Sequence, residues 1–316
     1  MKILITELIW EIGIKELEKK GFSIDYDKEL GRDRNKLLSL ISKYEGIIVR
    51  NETMVDSELL EKARNLKVIG RLGVGLDNID LHEARTKGIK VVAAKHANAT
   101  SVAEYVIAAM VDAYRQISKA TLDVRKGNWD RKGFTGRELK GKTLGLFGLG
   151  EISHRVAKRA KVFGMNIYGY DPFIIPYAHI LMETGVKQVH SISEILTKSN
   201  FISIHVPLTS DTKNIFNEEA FSLMKPDAYI INTSRGGIIN EEDLYHAVKT
   251  NVIAGAYLDV FEKEPILLDS PLLSLESIQL TPHVAGLTQE SQKRISLLVA
   301  QEMANVLEGK DSTCIV

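Results

Sequence analysis

Short apolar, β-branched runs alternate with longer amphipathic segments along almost the whole chain, and that rhythm restricts the fold more than any single motif. The runs fall at Ile3–Thr6, Gly46–Arg50, Lys67–Arg71, Ile89–Ala93, Thr143–Phe147, Asn166–Tyr170, Phe201–His205, Ala228–Asn232, Ile253–Leu258 and Ile278–Leu280. Successive side chains of a strand point to opposite faces, so a run that is apolar throughout belongs between two covering layers. Between the runs, Asp33–Lys43, Ser57–Arg64, Ile152–Phe163 and Glu241–Thr250 carry apolar residues at three- and four-residue spacing, as one-sided helices do. The alternation predicts βαβ units, parallel sheets and an α/β fold. It recurs without a fixed period, which argues against a solenoid or propeller.

At roughly 150 residues per domain, a chain of 316 residues is expected to form two domains. Thr100 to Gly127 reads as one long helix opened by an S-x-x-E capping box, Ser101-Val102-Ala103-Glu104, and so as a connector between two α/β halves. The polar stretch Lys126–Gly133 reads as an irregular arm. A last helix, about Gln289 to Leu307, is long enough to return to the first half. The expected division is therefore a discontinuous domain of residues 1–98 and 287–316 around a second domain of residues 99–286.

The 41 Lys and Arg residues cancel the 41 Asp and Glu residues, which removes the cationic footprint that nucleic-acid binding draws on. The single cysteine, Cys314, cannot form an intrachain disulfide and fits a reducing cytoplasm. It stands third from the end, whereas prenylation needs the fourth position. Glu7 and Glu11 interrupt the N-terminal apolar stretch, and no run approaches the ~18 apolar residues of a membrane span. The expectation is a cytoplasmic protein without a nucleic-acid or membrane partner.

After the strand at Thr143, Gly148-x-Gly150-x-x-Ser153 runs into an amphipathic helix. Gly148 suits a tight turn, Gly150 lets a pyrophosphate approach the backbone, and the helix offers free N–H groups and its positive dipole end. Asp171 ends the next strand, about 20 residues on, where an acid holds the adenine ribose diol and repels a 2′-phosphate. NAD is therefore expected over NADP. Two departures stand out: Ser153 in place of the third glycine, and Glu151, which brings negative charge close to the pyrophosphate.

Three loops follow the last three strands: Asn232–Gly237, Asp259–Pro265 and Thr281–Gly286. Open parallel sheets bind ligands at these carboxyl ends. Taken singly, Arg235 reads as a surface charge, Glu264 as a solvated loop acid and His283 as a turn residue. Together beside a nicotinamide they make a carbonyl-reducing site, because hydride reaching a carbonyl carbon creates an oxyanion that needs a cation and a proton. Arg235 suits the cation through its planar fork, His283 the proton donor and Glu264 its orienting partner. His205 also ends a strand and is the next candidate donor. No histidine shows H-E-x-x-H spacing, so no metal is expected.

These motifs, with Gly70–Asp80, Gly127-Asn128-Trp129, Leu139–Gly145 and Tyr170-Asp171-Pro172, resemble the D-isomer-specific 2-hydroxyacid dehydrogenases over nearly the whole length, and most closely those acting on 3-phosphoglycerate. The resemblance implies a Rossmann dinucleotide-binding domain inserted into a flavodoxin-like substrate domain, an active site in the cleft and a homodimer. It places the catalytic Arg, Glu and His on Arg235, Glu264 and His283. It places NAD contacts on Gly148, Gly150, Glu151, Ile152, Asp171, Val206, Thr233, Ser234, Asp259 and Gly286, and substrate-carboxylate amides on Val74 and Gly75. Arg50, Arg71 and Arg131 match residues that grip a substrate phosphate, although each also reads as a solvated cation. The expected reaction is oxidation of D-3-phosphoglycerate to 3-phosphohydroxypyruvate. Dehydrogenases of sulfolactate, glycerate or glyoxylate share the pattern, as do NAD(H)-sensing corepressors of the C-terminal-binding-protein type. Longer members carry a regulatory serine-binding domain, for which the residues after Gly309-Lys310 leave no room.

Overall fold

The computed structural model describes residues 1–175 and 178–316, which form two compact units, Met1–Asn98 with Leu287–Val316, and Ala99–Gly286. The first contains β1 (Lys2–Ile5), β2 (Ser23–Tyr26), β3 (Gly46–Val49), β4 (Val68–Arg71) and β5 (Lys90–Ala93). They make one parallel sheet in the order β2-β1-β3-β4-β5, the flavodoxin-like order. Alternate residues feed two cores. Ile3, Ile5, Ile48, Val68 and Val92 pack with Ile295, Val299, Met303 and Leu307 of the Gln289–Leu307 helix. Leu4, Ile47, Val49, Ile69 and Val91 face the opposite layer with Leu37, Leu59 and Ala84. Burial on both faces is why the strands read as unbroken apolar runs.

The second unit holds β6 (Thr143–Phe147), β7 (Asn166–Tyr170), β8 (Lys187–Gln188), β9 (Phe201–Ile204), β10 (Tyr229–Asn232), β11 (Gly255–Leu258) and β12 (Ile278–Leu280). The sheet order is β12-β11-β10-β9-β6-β7-β8, parallel throughout. Strand order therefore reverses between β6 and β9, the doubly wound arrangement whose switch point opens a crevice at the strand ends. Ile202, Ile204, Ile230 and Leu258 fill one face, and Leu144, Leu146, Phe201 and Ile231 the other.

All ten expected strands are present, but the apolar pattern missed two at sheet edges. β2 is largely exposed, with Ser and Asp in its four residues, and β8 is two residues long. The expected Thr100–Gly127 helix is two helices, Ala99–Arg115 and Ile117–Arg125, separated by Gln116 in the left-handed region at φ 47°. Nor do Ser101 and Glu104 form a capping box. The helix already begins at Ala99, Ser101 is buried within it, and Glu104 pairs with Arg159 at 3.3 Å. No helix among the described residues is long and apolar enough to cross a membrane.

Candidate active site

The turn after β6 is shaped by close approach. Gly148 has φ +90°, and a Cβ there would lie 2.5 Å from the His205 carbonyl oxygen and 2.7 Å from Cγ1 of Val206, so only glycine lets the loops after β6 and β9 meet. Beyond Gly150, which has open space around it, the Glu151–Val162 helix starts with no side-chain cap. Its first N–H groups, including those of Glu151 and Ile152, remain available to a phosphate. Ser153 closes the third position rather than loosening it: buried, it donates from Oγ to the Gly148 carbonyl at 2.6 Å. Glu151 is turned back along the helix to Arg155 at 2.6 Å, which neutralises its charge locally, and Arg155 also donates to Thr100.

Asp171 accepts from Leu149 N at 2.9 Å and from Phe173 N at 2.9 Å, one bond to each oxygen. Each carboxylate oxygen has a second lone pair, which leaves one acceptor for each hydroxyl of a ribose diol. At the other end of the crevice the Thr233 hydroxyl is buried without a partner among the described residues, a vacancy that suits a nicotinamide amide. Ser234 has a different local task, donating from Oγ to Ile204 O and from N to Asn232 Oδ1. These features fit NAD.

The three later loops follow neighbouring strands. A Cβ on Gly236 would fall 1.8 Å from the Phe261 carbonyl oxygen, so the Arg235 loop lies directly against the loop of Glu264. Arg235 donates from Nη1 to Ser234 O at 2.6 Å, and Asn232 holds the Arg235 carbonyl at 2.8 Å. His283 Nδ1 sits 2.8 Å from Glu264 Oε2, and Phe261 N donates to the other oxygen at 3.2 Å. The carboxylate thus fixes the imidazole with Nδ1 as donor, leaving Nε2 as the free proton-transfer atom.

His283 occupies the left-handed region at φ 54°, costly for a residue with a Cβ, and the turn around it is held by Asp259. That side chain is fully buried and accepts from Thr281 Oγ1 at 2.6 Å, Val284 N at 2.8 Å and Ala285 N at 2.8 Å. The Tyr105 hydroxyl meets Thr281 Oγ1 at 2.6 Å. The turn ends at Gly286. His205 is unsuited to donate a proton, because burial pushes its pKa down to about 3, and its Nε2 is bonded to Ser203 Oγ at 2.9 Å.

In the first unit, Arg71 ends β4 opposite Val49 of β3, and Arg50 follows Val49, so the two arginines end hydrogen-bonded neighbours. Arg71 donates from Nη1 to Leu72 O at 2.8 Å. The amides of Val74 and Gly75 have no acceptor among the described residues. Arg131 stands on an exposed turn of the second unit.

Sequence reasoning missed Glu7, Asn78, Tyr105 and Thr281, whose bonds join segments 22 to 176 positions apart. A carboxylate directly after a buried strand was the one signal for Glu7.

The D-isomer specific 2-hydroxyacid dehydrogenase NAD-binding domain model matches residues 107–285. The chain is 46% identical over 310 residues to D-3-phosphoglycerate dehydrogenase of Methanocaldococcus jannaschii, covering 98% of this chain and 58% of that protein. It therefore spans little more than half the length of that relative. It is 40% identical over 305 residues to (S)-sulfolactate dehydrogenase of Chromohalobacter salexigens, covering 96% of this chain and 98% of that one. Among solved structures, a glyoxylate reductase from Paecilomyes thermophila superposes with a TM-score of 0.88 at 30% identity, covering 100% of this chain and 98% of its own. The chain belongs to the D-isomer-specific 2-hydroxyacid dehydrogenase family, and the second unit carries that family's NAD-binding domain.

Proposed function

We propose that the protein interconverts D-3-phosphoglycerate and 3-phosphohydroxypyruvate. The observation that carries the chemistry is the 2.8 Å contact of His283 Nδ1 with Glu264, on the loop against which Gly236 seats Arg235. Bound NAD supplies the hydride acceptor for the C2–H bond. His283 Nε2 takes the hydroxyl proton as the C2–O bond becomes a carbonyl, and returns it in the reverse direction. Arg235 holds the oxygen that carries negative charge, and its fork also reaches the neighbouring carboxylate. Val74 and Gly75 offer their amides to that carboxylate. Glu264 keeps the imidazole in the tautomer that leaves Nε2 free.

Arg50 and Arg71 at adjacent strand ends support a terminal phosphate, with Arg131 as a third cation. The sulfonate of sulfolactate is a second reading, favoured by the full-length similarity to a sulfolactate dehydrogenase. The active form in this proposal is a homodimer in a reducing cytoplasm. Its support is the Ile117–Arg125 helix, which has no buried residue, and the exposure of Ile117, Leu122, Val124 and Trp129.

The test is NADH oxidation with 3-phosphohydroxypyruvate, sulfopyruvate, hydroxypyruvate, glyoxylate and pyruvate. The highest kcat/KM is expected with 3-phosphohydroxypyruvate. A higher value with sulfopyruvate selects the second reading, and absence of turnover on all five overturns the enzymatic one. His283→Ala should lower kcat by at least about 100-fold while NADH affinity holds.

A further inference from the structure

Glu7 lies just beyond β1 and is 3% exposed, yet it has no part in hydride or proton transfer. Its carboxylate accepts from four consecutive backbone amides: Arg50 N at 2.8 Å and Thr53 N at 2.9 Å on Oε1, Asn51 N at 3.0 Å and Glu52 N at 2.9 Å on Oε2. Consecutive amides that converge in this way form an anion-binding nest, and here the protein's own carboxylate fills it. Burial disfavours the charge, but the backbone bonds outweigh it and hold the Glu7 pKa below the usual carboxylate value. The nest is thus occupied by an anion throughout the physiological range.

The opposite side of the same loop is tied by a second residue. Asn78 donates from Nδ2 to Thr53 O at 2.7 Å and to Arg50 O at 3.2 Å, and the hydroxyls of Thr6 and Thr53 meet at 2.8 Å. All four amides of the Arg50–Thr53 backbone, and the carbonyls at its two ends, are therefore committed inside the first unit. The Arg50 side chain is not: among the described residues its guanidinium has no hydrogen-bond partner and is half-buried. Nearby Glu52 is already taken by Arg32 at 2.7 and 2.9 Å. The loop offers, on an immobilised backbone, one cation that feels the Glu7 and Glu52 charges but hydrogen-bonds to neither, and no free amide.

We propose that Glu7 is a positioning residue for recognition of the substrate's terminal anion. It fixes the backbone from which Arg50 reaches and closes the amide nest, so that the anion is bound by arginine side chains. Selectivity for a phosphate-bearing or sulfonate-bearing acid over a short keto acid then depends on Glu7, which touches neither. This inference rests on the assignment of Arg50 to the terminal anion.

The test compares steady-state constants of the full chain for 3-phosphohydroxypyruvate and for glyoxylate, in the unaltered protein and in Glu7→Gln, Asn78→Ala and Arg50→Gln. Glutamine keeps the shape of Glu7 but turns one acceptor into a donor facing amide N–H groups. Glu7→Gln should raise KM for 3-phosphohydroxypyruvate about tenfold or more, the scale of one charged hydrogen bond. Its kcat, and both constants for glyoxylate, should stay within about twofold. Equal losses on both substrates, or no change on either, overturn the role of Glu7. If Glu7→Gln fails to fold, Asn78→Ala loosens the same loop from its carbonyl side and should show the same split at about threefold or more; no split there overturns the proposal. Arg50→Gln separates the two levels. If it leaves KM for 3-phosphohydroxypyruvate unchanged, the anion assignment itself fails. If it raises that KM while folded Glu7→Gln does not, the assignment stands and only Glu7 is excluded.

Discussion

Replacing Asp259 by asparagine separates two uses of that carboxylate. One oxygen accepts from Thr281 Oγ1 and Val284 N, the other from Ala285 N. An asparagine that keeps its oxygen toward Thr281 and Val284 points an N–H at the Ala285 N–H; flipped, it opposes two donors. At least one bond is lost and the rest lose their charge. With hydrogen bonds to charged groups at about 1.5–3 kcal/mol each, the cost is on the order of 2–4 kcal/mol, or roughly 4–16 °C in Tm at 2–4 °C per kcal/mol. The released turn includes His283, held at φ 54°, a conformation that costs about 1–2 kcal/mol and relaxes once its tether is gone. The imidazole then leaves Glu264, and misplacement of about 1 Å is enough to lower kcat roughly 100-fold. Thermal denaturation, keto-acid turnover and NADH fluorescence titration on the same preparation read the three effects. Native Tm and kcat within about twofold would refute the tether. Native Tm with a large loss of NADH affinity would mean that Asp259 serves the cofactor and not the turn.

Asp171→Asn sets an N–H against one of the Leu149 and Phe173 amides and should reduce the preference for NADH over NADPH with a moderate fall in Tm. Asp171→Ser releases both amides and should lower Tm further; equal Tm for the two variants contradicts that anchoring role. Ser153→Gly restores the usual third glycine but loses the bond to Gly148 O and should cost about 1–2 kcal/mol in thermal denaturation. Because the folded-state pKa of Glu7 is depressed, its stabilisation is complete above about pH 4.5 and disappears as pH falls through the lower native value. The Tm gap between unaltered protein and Glu7→Gln should accordingly be widest above pH 5 and narrow in acid; a gap that does not vary with pH rejects this. Light scattering should give twice the 35.2 kDa chain mass, and Trp129→Asp with Leu122→Asp should halve it.

The strands were legible because both faces of each sheet are covered, so Ile47, Ile48 and Val49 are all buried and read as one apolar word. β2 and β8 were not, since edge strands keep polar, half-solvated side chains and can be very short. The break at Gln116 carries no glycine or proline to mark it, and helix spacing reads straight through it. For the site, rules about strand ends located Arg235, Glu264 and His283, because a parallel sheet exposes the same end of every strand. The residues that hold those loops in place, Asp259, Thr281 and Tyr105, were beyond sequence reasoning about their partners: each bond spans 22 or more positions and exists only once the sheet has ordered the strands.

The Gln289–Leu307 helix lies on the sheet made by the first 93 residues, with nearly two hundred residues of another unit between them in the chain. During synthesis, Ile3, Ile5, Ile48, Val68 and Val92 leave the ribosome long before Ile295, Val299 and Met303 exist to cover them. The inserted unit draws all its strands from one continuous stretch, so it is the first able to bury its own surface. The host sheet waits with one greasy face bare, an interval in which trigger-type holdases or self-association compete for it. Circular permutation that joins the last helix directly to Met1, with new termini in an exposed loop of the inserted unit, would shorten that wait.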